Sequence, residues 1–68
     1  MSWYLVLENN SEDMIKILED IKKKENLSYS VKGKEIWIEV NNKDEGHKKG
    51  SWYHHKTKLK PFYKIVWK

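Results

Sequence analysis

Cysteine, arginine, alanine and glutamine are all absent from this chain of 68 residues, and proline occurs only at Pro61. Without cysteine, the fold has no disulfide and no cysteine-ligated zinc site to stabilise it. Without arginine, the usual bidentate reading of guanine is excluded. A domain of this size buries only about 60% of the surface of its unfolded chain. We therefore expect the four Trp, four Tyr and one Phe to supply much of the packing.

Acidic residues are missing from the last third of the chain. All ten lie at or before Glu45, so residues 1–45, with seven lysines, carry a net charge of −3. Residues 46–68 carry seven lysines and no acid, a net charge of +7, and they also contain all three histidines. Such asymmetry indicates an anionic partner, with a lysine-rich solvated surface as the alternative interpretation.

The chain also has no long apolar run. No stretch is long and apolar enough to span a bilayer, and the first residues lack the basic start and apolar core of a signal peptide. We therefore expect a soluble cytoplasmic protein without membrane association. Hydrophobic residues make up 38% of the chain and charged residues 35%, a balance that favours a folded domain over a disordered tail. We expect one domain over residues 1–68.

The N-terminal part of the chain predicts a strand followed by a helix. Residues 2–8 form a nearly continuous apolar run, which is typical of a central strand buried on both faces. A helix is predicted over residues 11–25, with Asn10 or Ser11 as its N-cap. Its apolar stripe consists of Met14, Ile17, Leu18 and Ile21. A single stripe indicates that the helix covers one face of a sheet.

Two half-buried strands are predicted next. Apolar and polar residues alternate over residues 27–32 and again over residues 35–40. Lys32 and Gly33 lie between these segments, and glycine supplies the positive φ that a tight turn needs. The two segments are therefore interpreted as a hairpin, and they complete an acidic β-α-β-β part over residues 1–45.

The remaining residues are interpreted as a basic C-terminal hairpin over residues 46–68. Residues 41–50 contain no apolar residue and are predicted to form a loop. Alternation over residues 51–60 and 62–67 predicts two strands, with Pro61 favouring a turn between them. The predicted fold is α+β: a single small domain of β-α-β-β-β-β order, with an antiparallel or mixed sheet and one helix packed on one face.

One helix leaves the other face of such a sheet open. If the alternation holds through every strand, that face combines aromatic rings with lysines. Its predicted members are Trp37, Trp52, Lys56, Lys58, Phe62 and Lys64. This composition is typical of a surface that binds single-stranded nucleic acid, because bases stack on rings while lysines hold phosphates. The alternative is that the rings pack on each other as a second small core.

The leading hypothesis is a non-catalytic nucleic-acid-binding domain of low sequence specificity. Single-stranded DNA or RNA is the favoured partner, and strong salt dependence is expected because lysines make the phosphate contacts. The predicted binding residues are Trp37, Trp52, His54, Lys56, Lys58, Lys60 and Lys64, with Lys48 and Lys49 adding reach from the loop.

Two other classes of function remain open. A small protein-interaction module, such as an inhibitor of a host protein made by a phage or mobile element, would dock through the exposed aromatics or the edge strand 62–67, or would form a homodimer. A small nuclease would use His54 or His55 together with Lys56. No catalytic triad, paired carboxylates, phosphate-binding glycine loop or zinc-ligand spacing is readable in the sequence. We therefore expect neither a metal nor a cofactor.

Overall fold

A computed structural model describes residues 1–9 and 11–68 of the chain. In this part of the chain an antiparallel sheet of four strands is combined with two helices, so the structure belongs to the α+β class. The elements are β1 (Trp3–Leu7), α1 (Glu12–Lys24), β2 (Tyr29–Lys32), β3 (Glu35–Val40), α2 (Lys43–Lys56) and β4 (Tyr63–Trp67). The strand order is β2-β3-β1-β4. This connectivity is the split β-α-β, or ferredoxin-like, arrangement.

Strand β1 lies in the interior of the sheet, as its apolar run predicts. It pairs with β3 on one side and with β4 on the other, and Leu5 is opposite both Ile38 and Ile65. Leu5, Val6 and Leu7 have no exposed surface. Because neighbouring residues of a strand point to opposite faces, burial of all three means that both faces of β1 are covered at this point.

Helix α1 begins where its capping signal predicts. The Oγ of Ser11 accepts a hydrogen bond from the backbone N–H of Met14 at 3.3 Å. Asn10, the other predicted cap, lies outside the described residues. Met14 and Leu18 are fully buried, while Ile17 and Ile21 pack partly buried against the core, so the predicted stripe faces the sheet.

The predicted hairpin of β2 and β3 is confirmed. Lys32 is opposite Glu35, which leaves Gly33 and Lys34 in the turn. Gly33 has a φ of 62°, in the left-handed region that glycine enters without the steric cost of a Cβ. The local sequence was therefore sufficient to fix this turn.

The predicted loop over residues 41–50 and strand over residues 51–60 are wrong, because α2 occupies most of both. The observed order is β-α-β-β-α-β with two helices, and β4 has no hairpin partner in the preceding segment. Helix α2 starts with two hydrogen bonds that join Glu45 to the two residues before the helix. Asn42 Oδ1 accepts from the N–H of Glu45 at 2.8 Å, and Glu45 Oε2 accepts from the N–H of Asn41 at 3.2 Å.

Glycines explain why the sequence of α2 lacks an apolar stripe. A Cβ at Gly50 would lie 2.5–2.7 Å from atoms of the Tyr63 ring, and one at Gly46 would lie 2.8 Å from Cδ1 of Ile65. Gly46 and Gly50 therefore face β4, and Tyr53 continues the same side of the helix and is buried. Glycine takes the sheet-facing positions where an amphipathic helix normally carries larger apolar residues.

Both helices cover the same face of the sheet. The buried core combines residues of α1, α2 and the two inner strands, and its members include Leu5, Leu7, Met14, Leu18, Ile36, Ile38, Val40 and Tyr53. We call the other side of the sheet, which neither helix covers, the open face, although Val6 on it is buried. By register and alternation it carries Tyr4, Val6, Ser30, Lys32, Glu35, Trp37, Glu39, Lys64 and Val66. In the described ranges, neither helix has the length and apolar character that crossing a bilayer requires.

Candidate nucleic-acid interface

Two aromatic rings from neighbouring strands meet on the open face. The ring centroids of Tyr4 on β1 and Trp37 on β3 are 5.5 Å apart, with an angle of 60° between the ring planes. Val6 is opposite Trp37 and Tyr4 is opposite Glu39, so the two rings are diagonal neighbours across the strand pair. Both side chains are partly exposed. The pair therefore presents aromatic surface to solvent at the centre of the sheet.

The ammonium groups of two lysines lie beside the Trp37 ring. The Nζ atom of Lys32 lies 4.6 Å from the ring centroid, and the Nζ atom of Lys68 lies 5.4 Å from it. Cation–π contacts at exposed sites are worth only about 0.5–1 kcal/mol. Both ammonium groups can therefore leave the ring for a phosphate at little cost, which would free the aromatic surface for a base.

Glu35 connects the ring to a third lysine. One carboxylate oxygen accepts a hydrogen bond from Nε1 of Trp37 at 3.4 Å, and the other lies 3.0 Å from Nζ of Lys64. The hydrogen bond from Lys64 lowers the pKa of Glu35, against desolvation that raises it, and the same contact raises the pKa of Lys64. Glu35 thus holds the indole and Lys64 in place but also adds a negative charge to the open face.

The structure brings together only part of the predicted binding set. Trp37 and Lys64 lie on the open face, as the alternation predicts. Trp52 does not, because it belongs to α2 on the covered side of the sheet. Trp52 is 48% exposed, and its ring meets the ring of Tyr53 edge-on at 5.4 Å. The other predicted residues on α2 are Lys48, Lys49, His54 and Lys56.

The remaining predicted residues lie between α2 and β4. Lys58 and Lys60 occupy this connection, and Phe62 ends it with a side chain that is 72% exposed. The Phe62 ring lies 6.0 Å from the His54 ring of α2. Phe62 therefore lies beside the C-terminal end of α2, whereas the alternation of the sequence predicts it on the open face.

The three histidine rings pack against neighbouring groups of α2, of β4 and of the connection between them. Nδ1 of His54 lies 3.2 Å from the carbonyl oxygen of Pro61, and the His54 ring is 5.1 Å from that of His55. The ring of His47 packs edge-on against Tyr63 at 6.1 Å. Over residues 1–9 and 11–68, no three His, Asp or Glu side chains come together in a way that could hold a metal ion.

Three residues that adjoin Trp37 are absent from the binding set predicted from the sequence. Tyr4 belongs to an apolar run, Lys32 lies at the predicted turn, and no pattern in the sequence marks Lys68. A signal for Tyr4 was present, since it shares a strand face with Val6 in a strand predicted to be central. Which side chains of other strands lie beside it depends on the register of non-local pairs, which alternation does not reveal.

Comparison with known proteins gives no family for this chain. No family model, no curated protein and no solved structure matches it significantly. A shared fold alone would not establish a function in any case. The function must therefore be argued from the side chains of the site.

Proposed function

We propose that the chain binds single-stranded nucleic acid, without catalysis, through the open face. The observation that carries this proposal is the Tyr4–Trp37 ring pair, at 5.5 Å, with lysine ammonium groups beside it. Unpaired bases stack on such rings, and lysines follow the phosphates of the same strand. Tyr4 and Trp37 are the proposed stacking residues, and Lys32, Lys64 and Lys68 are the proposed phosphate contacts.

The arrangement resembles one that single-strand binders use. RNA-recognition motifs stack two or three bases on aromatic side chains of a four-stranded sheet. Here the two rings also come from adjacent strands, β1 and β3, of a four-stranded sheet. This likeness concerns the placement of rings and carries less weight than the contacts themselves. A duplex does not suit the face, because stacking requires bases that are already unpaired.

The chemistry of lysine sets the expected specificity. Lysine is a point charge without arginine's planar fork, so phosphate contacts dominate and base identity is read weakly. About three phosphate contacts to a single strand give a slope of log affinity against log salt near −2. The sequence predicts that this binding takes place in the cytoplasm.

Titration of labelled oligonucleotides tests the proposal. Fluorescence anisotropy is followed for single-stranded DNA, single-stranded RNA and duplex DNA at low and at physiological ionic strength. Single strands should bind more tightly than duplex, and the affinity should fall with salt. Trp37→Leu should lower the affinity about 5- to 150-fold, the loss expected for one stacked base.

Trp52→Leu is the matched control, because it removes an exposed tryptophan from the opposite side of the molecule. Its affinity for single strands should equal that of the unchanged chain. Circular dichroism confirms that both variants are folded. An absence of oligonucleotide binding at low salt by folded protein contradicts the proposal, as does an equal loss of affinity in the two variants.

A second candidate is association through the edge strand β4, with another copy or with a partner protein. It is favoured by the exposure of Trp67 (51%) on a strand that ends the sheet, and of Phe62 (72%) immediately before that strand. Light scattering tests the homodimer directly. A dimer that Trp67→Lys converts to folded monomer supports this candidate, whereas a monomer at all concentrations removes self-association from consideration.

A further inference from the structure

A groove of about 430 Å³ lies between the C-terminal end of α1 and α2. Its apolar lining comes from Ile21 of α1 and from Trp52 and Tyr53 of α2. The rings of Trp52 and Tyr53 meet at 85°, and Trp52 remains 48% exposed. The groove belongs to the helical layer, so it lies on the other side of the sheet from the Tyr4–Trp37 pair.

Lysines predominate around this groove. Lys24, Lys48 and Lys49 line it, against the single acid Glu25. Lys49 is engaged by Glu45, with its Nζ 3.1 Å from Oε1. Within the described parts of the chain, Lys24 and Lys48 make no ion pair and are exposed. Two uncompensated positive charges therefore flank an apolar depression.

Tyr53 is the most buried residue of this lining. Burial raises the pKa of Tyr53 to about 12, and the charge of Glu25 acts in the same direction. The lining thus combines an aliphatic side chain, two aromatic rings and two free ammonium groups.

We propose that this groove binds an acidic peptide segment of a partner protein. One large apolar side chain of the peptide enters between Ile21 and Trp52, and flanking carboxylates pair with Lys24 and Lys48. The volume suits a single bulky side chain with its adjacent backbone, and tryptophan is among the residue types enriched in the binding hot spots at the centre of protein interfaces. The lysine rim provides the charge complementarity that selects an acidic segment.

The same geometry disfavours nucleic acid in this groove. Tyr53 meets Trp52 edge-on, so the two rings do not form parallel surfaces on which successive bases could stack. Ile21 contributes an aliphatic surface, and Glu25 repels phosphate. Because the groove and the open face lie on opposite sides, both can be occupied at once. The groove proposal therefore stands independently of nucleic-acid binding by the open face.

A labelled peptide tests the inference with the full chain. The probe is a short peptide with one central leucine flanked by aspartates, followed by fluorescence anisotropy. Two control peptides replace the leucine by serine or the aspartates by lysines. The acidic leucine peptide should bind, and each control should bind about tenfold more weakly because it lacks either the apolar anchor or the charge.

Charge reversal at the rim gives the second test. Lys24→Glu combined with Lys48→Glu should lower the affinity for the acidic peptide about tenfold or more. The matched control combines Lys16→Glu with Lys58→Glu, two exposed lysines outside the groove with the same change in net charge. Trp52→Ser should also abolish binding of the acidic peptide. The variant should remain folded because the Trp52 side chain is exposed. Circular dichroism and thermal unfolding verify folding in each variant.

Three results would overturn the inference. The first is that the folded chain does not bind the acidic peptide. The second is that the control pair lowers the affinity as much as the rim pair, which would mean attraction to net charge alone. The third is that single-stranded DNA displaces the peptide and that Trp52→Ser weakens oligonucleotide binding equally, which would assign the groove to nucleic acid.

Discussion

Tyr4 and Trp37 lie side by side because the antiparallel register of β1 and β3 places Val6, and not Tyr4, opposite Trp37. Diagonal placement leaves the centroids 5.5 Å apart with the planes inclined by 60°. The register also sets Lys64 of β4 opposite Val6, on the other flank of the same strand. Residues from three strands that are distant in sequence thus lie together in one patch of the open face. Each charged residue of this patch can be replaced on its own by mutation.

Glu35→Gln should increase the affinity for single-stranded oligonucleotides. The substitution removes a negative charge from the open face and releases Lys64, while the amide oxygen still accepts the hydrogen bond from Trp37. Glu39→Gln is the control, since it removes an exposed acid from the same face without releasing a lysine. Anisotropy titrations should show a larger gain for Glu35→Gln. An equal gain in both variants would mean that Lys64 makes no phosphate contact.

The same ion pair predicts a pH dependence of stability. Because the hydrogen bond from Lys64 lowers the pKa of Glu35, its contribution is present above the ordinary carboxyl pKa and is lost as the pH falls through the lowered value. The pair is solvent-exposed, so the effect is small. Urea titrations from neutral to acidic pH should show a slightly steeper loss of stability for the unchanged chain than for Glu35→Gln. Parallel curves would argue against this contact in solution.

Asn42→Ala should destabilise α2 by about 1 kcal/mol, the usual cost of removing an N-cap acceptor. Its Oδ1 receives the N–H of Glu45 at 2.8 Å, and alanine leaves that donor without its partner. Chemical unfolding followed by circular dichroism measures the loss. Asn41→Ala is the control, because Asn41 contributes its backbone N–H and retains it. If the two variants are equally stable, the helix does not begin at this cap.

Gly50→Ala should lower the free energy of unfolding, whereas Gly46→Ala should be nearly neutral. A Cβ at Gly50 meets the rigid ring of Tyr63 at 2.5–2.7 Å, and overpacking of this kind costs about 1–3 kcal/mol. At Gly46 the contact is the flexible end of Ile65, and alanine's better helix propensity, worth up to about 1 kcal/mol, offsets the strain. Urea unfolding of the two variants provides matched measurements. The opposite ranking would show that α2 does not approach β4 through Gly50.

Tyr53→Phe should make the chain more resistant to alkaline unfolding. Burial raises the pKa of Tyr53 to about 12, from the ordinary tyrosine value of about 10. Between these values the unfolded chain loses a proton that the folded chain keeps, so stability falls as the pH rises. Phenylalanine cannot titrate and removes this part of the fall. Fluorescence-detected unfolding across the alkaline range should show a shallower decline for the variant, and identical curves would mean that the hydroxyl is well solvated.

Local patterns were sufficient to predict the four observed strands and the first helix. The apolar run of β1, the Ser11 cap of α1, the Gly33 turn and the alternation of β4 each correspond to an observed element. The errors are the loop predicted over residues 41–50 and, after it, the additional strand predicted over residues 51–60. That segment does alternate, but alternation produces a strand only when a neighbouring strand pairs with it.

Helix α2 shows why the sequence misled at this point. Its start carried readable signals, since Asn42 is a good N-cap and Asp44 and Glu45 follow in the first turn. Its buried side was not readable, because Gly46 and Gly50 show no hydrophobicity of their own. They become core positions only when Tyr63 and Ile65 of β4 fill the space that the missing Cβ atoms leave.

The sequence by itself determined the α+β class and the charge asymmetry. Alternation within each strand also predicts that Trp37 of β3 and Lys64 of β4 lie on the face that the first helix does not cover. Tertiary structure alone decided that Tyr4, Lys32 and Lys68 adjoin Trp37 and that Trp52 lies on the opposite side. The physical reason is that alternation acts within one strand over neighbouring residues. Which strands pair, and in which register, depends on how the complete set of apolar surfaces is buried at once.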